Sequence, residues 1–165
     1  MAGAVKYNPE SVSDACTCGI RHIGIGTISS GKLCIYLKKN GFNDDVIREA
    51  CDELIRRRYI DDDKAGRKVL LYRSGKKQES KRYLRERLYA AGVSSQVADD
   101  LISMVEDDRV LCFNLYLSVK PEVGSVDEAH DMSDYLKKLA QKRGFTPDVS
   151  VYAYDKWLEK VLNDQ

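Results

Sequence analysis

Proline is scarce in this chain, three residues in 165, and histidine is scarcer, with two. So few prolines leave long stretches free to form helix. No segment approaches the run of about 20 apolar residues that a bilayer span requires. The opening stretch MAGAVKYNPESVSD has neither a basic start nor an apolar run, so it does not read as a signal peptide. The expectation is a cytoplasmic protein with no membrane contact. Neither histidine, His22 or His130, has a Ser or Cys nucleophile at a recognisable motif spacing, so no catalytic site is expected.

The five cysteines (Cys16, Cys18, Cys34, Cys51, Cys112) are odd in number and lack a disulfide framework spacing. In a reducing compartment they read as small buried hydrophobes. Cys16, Cys18 and His22 spell C-x-C-x3-H. Structural zinc takes four ligands, usually with C-x2-4-C spacing, and a second pair is missing. Neither a metal nor a cofactor is expected.

What the chain does have is an ordinary globular composition, 43% apolar and 32% charged, which argues against disorder. The formal net charge is only +1, yet it is unevenly spread. Arg56 to Arg87 holds thirteen Lys and Arg against five Asp and Glu, whereas Asp99 to Asp134 holds two against ten. A polarised surface of this kind can steer a partner, although solvated helix faces that neutralise each other give the same pattern.

The chain also repeats itself. Gly41, Gly92 and Gly144 stand 51 and 52 residues apart, and their surroundings agree. Eight residues earlier come Leu33, Leu84 and Leu136, and four earlier Leu37, Leu88 and Ala140. One residue later are Phe42, Val93 and Phe145, and five later Val46, Val97 and Val149. Apolar residues four apart stripe one helix face, and a glycine after them ends the helix where a left-handed conformation is needed. Asn43, Ser94 and Thr146 then suit the N-cap of a second helix, with Pro147 at a first helical position. Ala50/Leu101/Ala153, Cys51/Ile102/Tyr154 and Leu54/Val105/Trp157 mark that helix's buried face.

A further helical stretch precedes each pair, at about 11–24, 62–74 and 107–119. The last includes VLCFNLYLSVK, for which a buried strand competes. Helix is preferred because Asp107 and Asp108 suit a helix start. The fold class is therefore all-α, three tandem three-helix repeats forming an elongated, curved array. The expected boundaries are 1–10 for an N-terminal extension, then 11–61, 62–106 and 107–165 for the repeats.

Other local signals have ordinary readings. GIRHIGIG at 19–26 lacks the spacing of a phosphate loop and reads as a helix end and turn. Asp61-Asp62-Asp63 lacks the alternating ligands of a calcium loop and reads as a helix start. The basic run is the candidate binding site: Arg56, Arg57, Arg58, Lys64, Arg67, Lys68, Arg73, Lys76, Lys77, Lys81, Arg82 and Arg85. Within it Lys77, Lys81 and Arg85 are spaced to share one helical face, which can meet phosphates or an acidic protein surface.

The pattern L-x3-GF-x3-VI…L-x4-YIDD-x2-A, from Leu37 to Ala65, resembles the signature of the RecX family. It is followed by K-K-x3-K-x2-L-x3-L-x3-G, from Lys76 to Gly92, in the order that family shows. The resemblance covers about residues 12–162, and Tyr59-Ile60-Asp61-Asp62 with Ala65 is its most specific part. It implies a bacterial cytosolic regulator of three three-helix repeats, expected to be a monomer. Its partner would be the RecA nucleoprotein filament, whose groove it would occupy while inhibiting strand exchange and co-protease activity. The rival reading is a helical nucleic-acid-binding module that contacts DNA directly through the Arg56–Arg87 patch.

Overall fold

The computed structural model of the protein describes residues 6–163. The first five residues of the expected 1–10 extension and the last two of the third repeat lie outside the described residues. Among the described residues nine α-helices follow one another: α1 Val12–Ile23, α2 Ser30–Lys39, α3 Asp44–Arg56, α4 Asp62–Tyr72, α5 Lys81–Ala90, α6 Ser95–Ser103, α7 Asp108–Val119, α8 Val126–Lys142 and α9 Pro147–Asn163. A single 3-10 turn, Gly75–Lys77, sits between α4 and α5. Among the described residues β-structure is limited to one isolated bridge between Ile28 and Ile60. The all-helical class read from the sequence holds, and no helix among the described residues is long and apolar enough to cross a membrane.

The stretch VLCFNLYLSVK is helical, as α7. Asp107 caps it, its carboxylate accepting from the Arg109 and Val110 amides at 2.8 and 3.2 Å. That contact supplies the start which the apolar composition alone left open between helix and strand. The acidic segment PEVGSVDEAHD carries the turn between α7 and α8 and the first residues of α8.

Gly41, Gly92 and Gly144 have φ of 87°, 78° and 84°, each just past the second helix of a triplet. The backbone there is left-handed, as the spacing predicts. The N-cap expectation is only partly met. Asn43 makes no side-chain cap bond, and the acidic first turn of α3, Asp44 and Asp45, faces the helix dipole instead.

The chain divides into two compact units. One comprises the residues up to Lys68 with Leu88–Ala98, the other Val69–Arg87 with the residues from Asp99 on; α4, α5 and α6 contribute to both. In the first unit α1, α2 and α3 pack together around Ala15, Cys18, Leu33, Leu37, Ala50 and Leu54. In the second, α7, α8 and α9 enclose Trp157, Tyr116, Leu115 and Leu136. Its polar atoms are satisfied: the Trp157 indole donates to the Lys120 carbonyl at 2.8 Å, and the Tyr116 and Ser150 hydroxyls pair at 2.9 Å.

The N-terminus of α2 is held by one set of contacts and that of α5 by a matching set. In the first unit Ser29 caps α2, its hydroxyl donating to the Ala91 carbonyl at 2.5 Å. The Asp62 carboxylate accepts from the Ser30 amide at 2.7 Å, the Ser30 hydroxyl at 2.6 Å and the Ser94 amide at 2.9 Å. In the second unit the Asp108 carboxylate accepts from the Lys81 amide at 2.8 Å, and the Ser80 amide donates to the Arg143 carbonyl at 3.0 Å. Ser29 and Ser80 are buried hydroxyls standing 51 residues apart. In both places an acid opening one triplet satisfies an orphan amide at the start of the preceding triplet's second helix.

Candidate partner-binding surface

The twelve basic residues expected to bind a partner fall in two groups of six, one in each unit. In the first unit Arg56 ends α3 and Arg57 follows it, its guanidinium 5.3 Å from the Tyr59 ring centre. Arg58 adopts φ of 60°, the one non-glycine residue with positive φ among the described residues. The Arg58 amide donates to the Ile55 carbonyl, and the Tyr59 amide to that of Leu54, so the helix end closes around a strained arginine. Lys64, Arg67 and Lys68 are exposed on α4. Arg56 is paired with Glu53 at 2.6 Å and Arg67 with Asp63 at 2.6 Å, both in solvent, where such pairs contribute little.

The second unit's group surrounds the 3-10 turn and the start of α5. Gly75, with φ of 59°, turns the chain, and Gln78, Glu79 and Ser80 are then buried before α5 begins at Lys81. Lys77 therefore lies in the turn and not on α5, so the expected Lys77–Lys81–Arg85 face does not form as one helical stripe. Gln78, at φ −54° and ψ 134°, is extended and breaks the helical path between them.

Glu79 anchors this segment. Its side chain is 3% exposed. It receives Arg87 through two bonds, 3.1 and 2.9 Å, and Arg73 at 3.4 Å. Two guanidinium groups thus compensate one buried carboxylate, and the Glu79 hydrogen bonds hold Arg87 above the ordinary arginine range. Arg73 is consequently committed to the fold. Arg85 pairs with Asp99 at 3.2 Å, and Lys81 is half-buried.

Lys76, Lys77 and Arg82 remain exposed, and aromatic rings accompany two of them. Tyr72 is 62% exposed, with the Lys77 ammonium 3.9 Å and the Arg73 guanidinium 5.4 Å from its ring centre. A hydrogen bond from Lys77 lowers the pKa of the Tyr72 hydroxyl below the ordinary tyrosine range. The Arg82 guanidinium lies 5.0 Å from the Tyr83 ring centre. An exposed ring flanked by cations can stack on a base or a guanidinium while the charges meet phosphates or carboxylates. Sequence reading found the cations but not Tyr72, although its place beside Arg73 was in view.

The remaining candidates fall into place locally. α1 ends at Ile23 and Gly24 closes it at φ 58°, so GIRHIGIG is a helix end and turn. Asp61 accepts from the Lys64 amide at 2.9 Å and Asp62 opens α4, a helix start as expected. Cys16 and Cys18 are buried, whereas His22 is exposed with its ring stacked 3.5 Å from that of Tyr36. Among the described residues no group of three or more His, Cys, Asp or Glu side chains is placed to hold a metal. The second unit also has an open groove of about 620 Å³ beside α7 and α9, lined by Arg109, Val110, Phe113, Tyr152 and Lys156 among others. No motif in the sequence marks it.

Two curated proteins named regulatory protein RecX are similar to this chain. One, from Chlorobium limicola, is 23% identical over 135 residues, covering 82% of this chain and 84% of that protein. The other, from Lactobacillus johnsonii, is 24% identical over 159 residues, covering 94% of this chain but 58% of the longer relative. The resemblance carried by the Leu37–Ala65 and Lys76–Gly92 patterns thus extends over most of the chain. No family model matches the sequence, and no solved structure matches it.

Proposed function

We propose that this protein is a regulator of the RecX type that binds RecA assembled on single-stranded DNA, lies in the filament groove and lowers its ATPase, strand-exchange and co-protease activities without catalysing a reaction itself. The observation that carries this reading is the similarity to two proteins named regulatory protein RecX, 23–24% identical across most of this chain. The ordered succession of nine helices, with left-handed glycines after the second helix of each triplet, supports three repeats at 11–61, 62–106 and 107–165. Stacked repeats in general offer a long surface for a filament rather than one pocket for a small molecule. A net charge of +1 suits a protein target better than naked DNA, for which a strongly basic footprint is usual.

Titrating the protein into RecA on single-stranded DNA tests the proposal, with ATP hydrolysis and strand exchange as readouts. Both activities are expected to fall as the protein is added. Unchanged activity at high molar excess, with tight binding to DNA alone, overturns the regulator reading. One observation favours that second reading, direct nucleic-acid binding: the exposed Tyr72 ring beside Lys77 and Arg73 has the make-up of a stacking platform.

A further inference from the structure

Cys34 on α2 and Cys51 on α3 face each other inside the first unit, with their Sγ atoms 2.9 Å apart. That is well inside ordinary sulfur–sulfur contact. The two thiols are not equivalent. Cys34 is half-buried and reachable from solvent, whereas Cys51 is 5% exposed in the core with Ala50 and Leu54. We propose that Cys34 and Cys51 form a dithiol modification site that a peroxide converts to an intramolecular disulfide, with Cys34 as the attacking sulfur and Cys51 as the resolving one. The proposal is independent of the regulator reading, because it rests on two side chains and is read on sulfur.

The geometry suits the product. A disulfide needs an S–S separation of about 2.05 Å, so closure asks each sulfur to move by roughly half an ångström. The electrostatics suit the first step. One hydrogen bond joins the two thiols, and with Cys51 as its donor it holds the Cys34 thiol below the ordinary thiol range, against the opposing pull of burial, Asp62 and Asp52. The same hydrogen bond, with burial, pushes the Cys51 thiol up, so the proton stays on the sulfur that solvent does not reach. A low-lying, accessible thiolate beside a protonated partner is the arrangement that oxidises selectively.

The chemistry balances. The Cys34 thiolate attacks one peroxide oxygen, the O–O bond breaks, and hydroxide leaves with sulfenic acid formed on Cys34. Cys51 sulfur then attacks the Cys34 sulfur, the S–O bond breaks, and the hydroxyl leaves as water with the Cys51 proton. Two thiols are oxidised and one peroxide is reduced to two waters. The bridge would tie α2 to α3 across the turn at Gly41 and lock the first unit's core.

The test treats the full chain with hydrogen peroxide at neutral pH, alkylates remaining thiols and maps peptides by mass spectrometry. The expected result is loss of two hydrogens from the intact mass, one Cys34–Cys51 cross-linked peptide, and reversal by dithiothreitol. The unfolding midpoint of the oxidised form should rise by roughly 5–10 °C. In Cys51→Ser the reaction should stop at a Cys34 sulfenic acid that a cyclic 1,3-dione traps, and in Cys34→Ala no cross-link should form and Cys51 should remain alkylatable. Cys34 and Cys51 both remaining alkylatable, or a cross-link that joins Cys34 to Cys16 or Cys18 instead, overturns the proposal.

Discussion

The Gly31 amide donates to the Gly92 carbonyl at 2.9 Å, and the two backbones touch without a side chain between them. A Cβ on Gly31 would fall 2.7 Å from the Gly92 oxygen and 2.8 Å from its Cα, and neither can swing aside as a side chain would. Gly31→Ala should therefore cost about 2 kcal/mol or more, although alanine is the better helix former. Urea unfolding checks this, and an unchanged midpoint would count against the close approach. Gly92→Ala should cost at least as much, since φ of 78° adds strain to a Cβ placed 2.6 Å from the Ser29 hydroxyl.

Asp62 and Asp108 hold the N-termini of second helices. Asp62 accepts three bonds and Asp108 one from the amide it shares with α5. Asp62→Ala is expected to lose about 2–3 kcal/mol, and Asp108→Ala less, about 1–2 kcal/mol. Amide hydrogen exchange should localise the first loss to Ser30 and Ser94 and the second to Lys81. Equal and diffuse effects would contradict the assignment.

Glu79 should behave as a structural acid within a basic segment. Glu79→Gln keeps the size but removes the charge that joins Arg73 and Arg87, at an expected cost of about 1–3 kcal/mol. If the fold survives, the variant should remain folded at moderate temperature while binding of any partner through Lys76, Lys77 and Arg82 weakens. A variant as stable as the wild type would show that the paired arginines gain nothing from the buried carboxylate.

The proposed binding surface is tested by changing Lys76, Lys77 and Arg82 together to alanine, since single exposed charges contribute little. Inhibition of RecA's ATPase is expected to weaken by about tenfold, with circular dichroism and thermal midpoint unchanged. If DNA is the direct partner, the variant's DNA affinity falls and the slope of log affinity against log salt flattens by about 0.7 for each lost single-strand phosphate contact. Tyr72→Ala separates stacking from charge, because it should lower affinity without changing that slope.

The features legible in the sequence are those fixed by neighbours along the chain. The left-handed glycines show through a recurring apolar stripe, and the start of α7 through Asp107 and Asp108. The contacts that were not legible are made between residues far apart in sequence. Ser29 meets Ala91 and Asp62 meets Ser94, and the 51-residue separation of Ser29 from Ser80 was the one available hint. Glu79 is one of five acids within the basic run, and its burial depends on where Arg73 and Arg87 are brought. The Lys77–Lys81–Arg85 face failed for a local reason: helical spacing cannot reveal that Gln78 takes an extended conformation.

The hydrogen bond from Gly31 to Gly92 has a bearing on how the protein is made. As the chain leaves the ribosome, α1 to α3 are free of the exit tunnel before Gly92 has been synthesised or has cleared it. Until then the Gly31 amide, the Ser29 hydroxyl and the Asp62 carboxylate all wait for groups between Ala91 and Ser94. The N-terminal helices should thus emerge as a loose nascent intermediate that sets only when the later segment arrives, and a stalled chain ending before residue 88 should be an early target for proteases.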